Sequence, residues 1–194
     1  MKGKIKTLSL VLIGLSICAI VTIPRKSHEK IILNNGAVIN LPYRFKTVKA
    51  EQLSIKAFNL NKAKKYRKAI VLYKQAIKIE PDNPKLYFDL ADCMSRIDKL
   101  RQAIQILDTA ILLDSSFAPF YSNRGLYYYW LEDDQNALND FIRAIKLDST
   151  NYVIYANMAL VYYSMNNLDE ACKTFTISKR IGLDLTEIDK EDGL

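Results

Sequence analysis

The chain has a single histidine in 194 residues, His28, and that scarcity removes whole classes of chemistry. A Ser/His/Asp or Cys/His nucleophilic centre, or a histidine-based zinc site, needs an imidazole held by a folded scaffold. His28 lies ahead of the repeating part of the chain, so no such imidazole is available there. Glycine and proline are also sparse, at six and five, and no Gly-rich phosphate loop, GxGxxG or Cys-x-x-Cys is present. The three cysteines make no disulfide framework: Cys18 sits in an apolar run, and Cys93 and Cys172 fall at different places in the chain's pattern, so free buried thiols are expected. The carboxylate pairs Asp133-Asp134 and Asp169-Glu170 stand at turns, where acidic side chains favour the start of the following helix. These absences argue against an enzyme, and no catalytic, cofactor-binding or metal-binding residue is assigned.

Cationic charge is present but unevenly placed. Residues 1–49 carry nine Lys or Arg and one acidic residue, whereas the remainder carries 19 against 20. A nucleic-acid footprint would be a basic stripe across the folded domain, and the balance of the repeat region as a whole argues against one. The local exception is Lys62, Lys64, Lys65, Arg67 and Lys68, readable as a solvated turn or as a contact for an anionic lipid or partner.

What the chain does have is a period. Ala69, Ala103, Ala137 and Ala171 stand thirty-four residues apart, and Ala76, Ala110, Ala144 and Ser178 follow seven residues after each. Between them lie Tyr73, Leu107, Phe141 and Phe175; earlier columns hold Ala57, Ala91, Gly125 and Ala159, then Leu53, Tyr87, Tyr121 and Tyr155. Spacings of three, four and seven put these residues on single helix faces, so each period is a pair of helices packed through small residues. With Ala50 as position 1, the helices are expected over positions 2 to 14 and 18 to 31. Turns are expected at Asn59–Lys64, Ile97–Lys99, Glu132–Asp134 and Asn166–Asn167, and Asn83 with Pro84 reads as an N-cap followed by a first-position proline.

These columns resemble the tetratricopeptide repeat family, with four repeats over 50–83, 84–117, 118–151 and 152–183. The family pattern sets an aromatic at 4, Leu at 7, Gly or Ala at 8, an aromatic at 11, Ala at 20, an aromatic at 24, Ala at 27 and Pro at 32. Departures include Leu53, Lys56 and Leu60 in repeat 1 and Met94 in repeat 2, and only Pro81 keeps the proline. The resemblance implies an all-α, right-handed superhelical solenoid of four helix-turn-helix repeats that binds protein partners. A coiled coil would need a seven-residue apolar repeat, and a pentatricopeptide array a thirty-five-residue period.

The resemblance also implies a concave groove lined by positions 2, 5, 6, 9, 12 and 13 of each first helix. Carried onto this chain, it points to Phe88 and Asp92, to Ser122, Asn123, Leu126 and Tyr129, and to Asn157, Leu160 and Tyr163. Asn123 and Asn157 share position 6, where two amides on adjacent helices can hold the backbone of an extended peptide. The bland alternative is that the asparagines bond neighbouring helix groups, the aromatics close gaps between repeats, and Trp130 is core. The cochaperone subclass that grips a C-terminal carboxylate uses Lys and Asn at positions 5 and 9, Asn at 6 of the next repeat, then Lys and Arg at 2 and 6. Here Ser54 and Phe58 are followed by Asp89, or Phe88 and Asp92 by Asn123, Val153 and Asn157, so either register lacks the cations a carboxylate needs. A second reading is a structural or assembly subunit of an envelope complex, pilotin-like, that uses its outer face and ends.

Ahead of the repeats, Lys2, Lys4 and Lys6 precede an uncharged run from Leu8 to Ile23, closed by Pro24-Arg25-Lys26. Sixteen helical residues span about 24 Å, slightly under the roughly 30 Å of a bilayer core. Residues 1–23 therefore read as an uncleaved transmembrane anchor, a cleaved signal peptide, or a lipoprotein leader with Cys18 acylated. Basic residues flank the run nearly equally, and its order favours export, with the repeats in a periplasm or on an extracytoplasmic face. Residues 24–49 read as an extended tether or, from Asn34-Asn35-Gly36 between Ile31-Ile32-Leu33 and Ala37-Val38-Ile39, as a short hairpin. Residues 184–194 form an acidic tail; after Gly182 only Leu183, Leu185 and Ile188 remain to cover Ile177 and Ile181, so the tail or a partner is expected to dock there.

Overall fold

The computed structural model describes residues 30–32, 38–40 and 43–182. The apolar run from Leu8 to Ile23, the Asn34-Asn35-Gly36 turn and the acidic tail lie outside these residues. The chain divides into two compact units, residues 1–46 and 47–194. In the first, β1 (Lys30–Ile32) pairs antiparallel with β2 (Val38–Asn40), placing Ile31 opposite Ile39 and Ile32 opposite Val38. Each strand is offset by one residue from its expected limits, leaving residues 33–37 between them.

Among its described residues the second unit is all helical. It contains α1 (Val48–Lys62), α2 (Tyr66–Ile79), α3 (Pro84–Ser95), α4 (Leu100–Leu113), α5 (Ala118–Trp130), α6 (Asp134–Leu147), α7 (Tyr152–Ser164) and α8 (Leu168–Ile181). Helices pair within each repeat and then with the next repeat in chain order, which makes four helix-turn-helix units stacked as a solenoid. Caps set the starts: Asn83 accepts from the Lys85 amide ahead of Pro84, and Thr47, Asp133, Asn151 and Asn167 cap α1, α6, α7 and α8 in the same way.

Each first helix ends through one recurring device. Lys64, Asp98, Glu132 and Asn166 all occupy repeat position 15 and all have positive φ, between 56° and 61°. The amide after each donates back to Leu60, Met94, Tyr128 and Tyr162, and its own amide donates to Asn61, Ser95, Tyr129 and Tyr163. This is the paired 6→1 and 5→2 arrangement of a Schellman motif, made four times without a glycine. In repeat 1 the helix continues through Asn59 to Lys62, so the turn is shorter than the polar run suggested.

The small-residue columns carry the packing. Ala57, Ala69, Ala76, Ala91, Ala103, Ala110, Ala137 and Ala144 are fully buried, with Tyr73, Leu107 and Phe141 between them. At Gly125 a Cβ would meet the Ala137 carbonyl oxygen at 3.1 Å and the Phe141 ring at 3.1 Å, so α5 and α6 lie closer than an alanine comfortably permits. The pattern fails at one place: Phe175, in the column of Tyr73, Leu107 and Phe141, is 39% exposed.

Polar groups join repeats at defined points. The hydroxyls of Tyr87, Tyr121 and Tyr155, all at position 4, donate to the carbonyls of Pro81, Ser115 and Ser149 in the preceding turn. Arg124, at position 7 where the family pattern sets Leu, forks onto both oxygens of Asp140 at 2.7 Å and reaches Asp108 in repeat 2 at 2.6 Å. Burial disfavours its charge, but the hydrogen bonds to Asp140 and then Asp108 more than offset this and hold the guanidinium above its ordinary pKa. The Tyr73 hydroxyl is buried with no hydrogen-bond partner among the described residues. Of the two cysteines among the described residues, Cys93 is buried as expected, and Cys172 is exposed, because its position lies outside the small-residue columns.

Candidate functional site

First helices of neighbouring repeats touch, α1 with α3 and α5 with α7, so they line the inner side of the stack. All nine candidate groove residues lie on these helices, but they fall into two groups.

In repeat 2 they are engaged within the protein. Phe88 packs against Phe117 and Phe120, with ring centroids 6.2 Å and 5.6 Å away, closing the step between repeats 2 and 3. Asp92 accepts from the Asn61 amide at 2.9 Å and pairs with Arg96 at 3.4 Å. Beside it Lys85 and Asp89 pair at 2.6 Å; burial raises the Asp89 carboxyl above its ordinary pKa, and Lys85 opposes that shift. This half of the surface is polar and internally neutralised.

In repeats 3 and 4 the surface opens. Leu126 and Tyr129 are half-buried against the core of α5, α6 and α7, and Ser122 is half-buried beside them. Asn123 faces the Tyr127 hydroxyl together with Ser95; Tyr127 is itself buried, which pushes its pKa up to about 12. Asn123 thus fits the bland reading in part. The Asn157 side chain, also half-buried, makes no hydrogen bond among the described residues. Leu160 is 49% exposed and Tyr163 68% exposed.

Trp130 is not core: it is 52% exposed, its ring resting 5.7 Å from Tyr127. Repeat 1, absent from the candidate set, also contributes Ile55 and Phe58 at positions 6 and 9, both close to half-exposed. Helix α7 carries no charged residue, and α5 carries only Arg124, which points into the Asp108–Asp140 pair. The inner face of α5 and α7 is therefore aromatic, aliphatic and amide in character.

Among the described residues no cluster of His, Cys, Asp and Glu is arranged to hold a metal ion, and no helix is long and apolar enough to cross a membrane.

Comparison with known proteins agrees with this architecture. Residues 60–119 and 152–176 match tetratricopeptide repeat families. A DnaJ homolog subfamily C member 3 homolog from Dictyostelium discoideum is 33% identical over 96 residues, 47% of this chain and 19% of that protein. Hsp70-Hsp90 organizing protein 2 from Arabidopsis thaliana is 29% identical over 77 residues, 40% of this chain and 14% of that protein. The chain thus spans less than a fifth of either relative. Among solved structures, MamA aligns with TM-score 0.65 at 22% identity, covering 74% of this chain and 81% of MamA. The first repeat domain of Spaghetti (RPAP3), bound to the HSP90 peptide SRMEEVD, aligns with TM-score 0.59 at 26% identity, covering 61% of this chain and 94% of that one.

Proposed function

We propose, from the premise that the chain is a solenoid of tetratricopeptide repeats, that it is a non-enzymatic binding module whose groove captures an extended, apolar or aromatic peptide segment of a partner protein. The supporting observation is the uncharged inner face of α5 and α7, where Trp130, Leu160 and Tyr163 stand about half or more exposed. A helix that presents apolar side chains to water without interspersed charge marks a contact surface. Asn157, with no side-chain hydrogen bond among the described residues, and Asn123 supply donors and acceptors for peptide backbone, while Tyr129, Tyr163 and Leu126 receive side chains.

The ligand differs in chemistry from the acidic peptide seen with the Spaghetti repeats. The corresponding positions here offer Ser54 and Phe58 with Asp89, or Phe88 and Asp92 with Asn123, Val153 and Asn157, so neither register supplies the cations that an acidic C-terminus needs. In the same reading residues 1–23 hold the chain at a membrane, as an anchor or export signal, with the repeats on the extracytoplasmic side. The assembly-subunit alternative draws on the exposure of Phe175 and on Leu112, which is 86% exposed on the outer helix α4.

Selection of a random linear-peptide display library on the full chain tests the groove. The expected result is enrichment of aromatic and aliphatic motifs whose affinity falls by about tenfold or more in an Asn157→Ala/Tyr163→Ala variant of unchanged helicity. SRMEEVD is expected not to bind at millimolar concentration. Equal binding by the variant, or tight binding of SRMEEVD, overturns the reading.

A further inference from the structure

Repeat 1 differs from the other three in its charge. Residues 47–80 hold nine Lys or Arg against two acidic residues, net +7, while 81–182 hold ten against thirteen, net −3. One of the two acids, Glu80, is buried and occupied by hydrogen bonds from Thr47 and Asn83. Among the described residues none of the nine cations pairs with a carboxylate, whereas four of the ten in the later repeats, Lys85, Arg96, Arg124 and Lys173, do. The contact recorded for one of them is Lys62 over the Phe58 ring, at 4.9 Å.

Their placement runs against helix electrostatics. Lys64, Lys65, Arg67 and Lys68 crowd the N-terminus of α2, the positive end of its dipole, which has no acidic residue in its first turn. The equivalent turns of α6 and α8 carry Asp134, and Asp169 with Glu170; that of α4 also has no acid but holds only Lys99 and Arg101, against four cations at α2. From this end Arg67, Val71, Lys74 and Lys78 continue as one exposed row along α2, at helical spacings of four, three and four, with Val71 54% exposed in its middle. Local rules broken without internal compensation point to an external partner.

We propose that the α1–α2 turn and this row of α2 form a docking surface for an anionic phospholipid membrane. Unpaired cations flanking an exposed valine on a helix face suit phosphate headgroups above and acyl chains beneath. The choice of lipid over an acidic protein rests on the membrane-tether reading, since repeat 1 is the repeat next in sequence to the apolar run. The surface is separate from the groove, so peptide capture and membrane docking stand or fall independently.

Lysine-acylation footprinting of the full chain by mass spectrometry tests the surface, using vesicles of phosphatidylcholine alone or with about a third phosphatidylglycerol. Lys64, Lys65, Lys68, Lys74 and Lys78 are expected to be protected roughly threefold on the anionic vesicles only, with protection lost near 0.5 M salt. Lys146 and Lys179 are expected to label equally throughout. A Lys64→Glu/Lys65→Glu/Lys68→Glu variant, whose changes are exposed and favourable to the α2 dipole, is expected to lose the protection with helicity unchanged. Equal labelling on both vesicle types overturns the proposal, even where the chain floats with the vesicles and the tether stands. Protection by polyglutamate without protection by vesicles overturns it in favour of an acidic protein.

Discussion

Arg124 shows how one residue can leave the family pattern and still be fixed by its surroundings. Its fork onto Asp140, 8% exposed at the side chain, neutralises a carboxylate whose pKa is raised by burial and pulled back by Arg124. Removing the guanidinium leaves that carboxylate uncompensated, so Arg124→Ala is expected to destabilise by about 3 kcal/mol at neutral pH. A folded pKa above the unfolded one contributes stability that is present below the unfolded value and lost as pH rises through the folded value. In Arg124→Ala the Asp140 pKa rises further, so the deficit should be largest near pH 7.5 and shrink as pH falls toward the ordinary carboxylate range, about 4. Urea titrations at pH 7.5 and 4.5 check this, and a deficit that is constant or grows in acid would refute it. The single-column reading that made Ala137 and Phe141 legible did not show Arg124, because its partners Asp108 and Asp140 belong to different helices and meet only in three dimensions. Trp130 stood open between groove and core for another reason: a large aromatic at the end of an apolar helix fits a core position as well. Its own column, Lys62, Arg96 and Ser164, is polar and marks the position as surface.

At the scale of the element, all eight helices were readable to within a residue or two at most ends, since caps and small-residue spacing are local signals. The way the first helices stop was not readable. Left-handed residues are sought as Gly or Asn, and only Asn166 of the four fits that expectation. Lys64, Asp98 and Glu132 adopt the same backbone because the following amide gains a carbonyl five residues back in the last turn of the helix, and the returning second helix fixes the geometry. A non-glycine residue there costs about 1 kcal/mol. Glu132→Gly, at an exposed site in the α5–α6 turn, is therefore expected to raise stability by about 0.5–1 kcal/mol, visible as a Tm increase of a few degrees. A decrease in Tm would show that the Glu132 side chain itself supports the turn.

Across the whole solenoid, burial is not uniform. The position-24 side chain is sealed in the first three repeats but exposed in the last, where Leu168 and Met165 are also about half exposed. Repeats that contact a neighbour on one side only open at lower free energy. Native-state hydrogen exchange is expected to show α8 amides exchanging faster than those of α4 and α6 under identical conditions. Protection in α8 equal to that in α6 would instead reveal a cover, from residues 183–194 or a second molecule. The periodicity made the stack legible, whereas the contrast between a basic first repeat and mildly acidic later ones is invisible to column matching, which scores size and apolarity and ignores sign. The tyrosine hydroxyls at position 4 add a mechanical consequence. They tie Tyr87, Tyr121 and Tyr155 to the turn before each repeat and so limit how far one hairpin can rotate on the last. Three phenolic oxygens thereby restrain the step between successive repeats, and with it the curvature to which any extended ligand must conform.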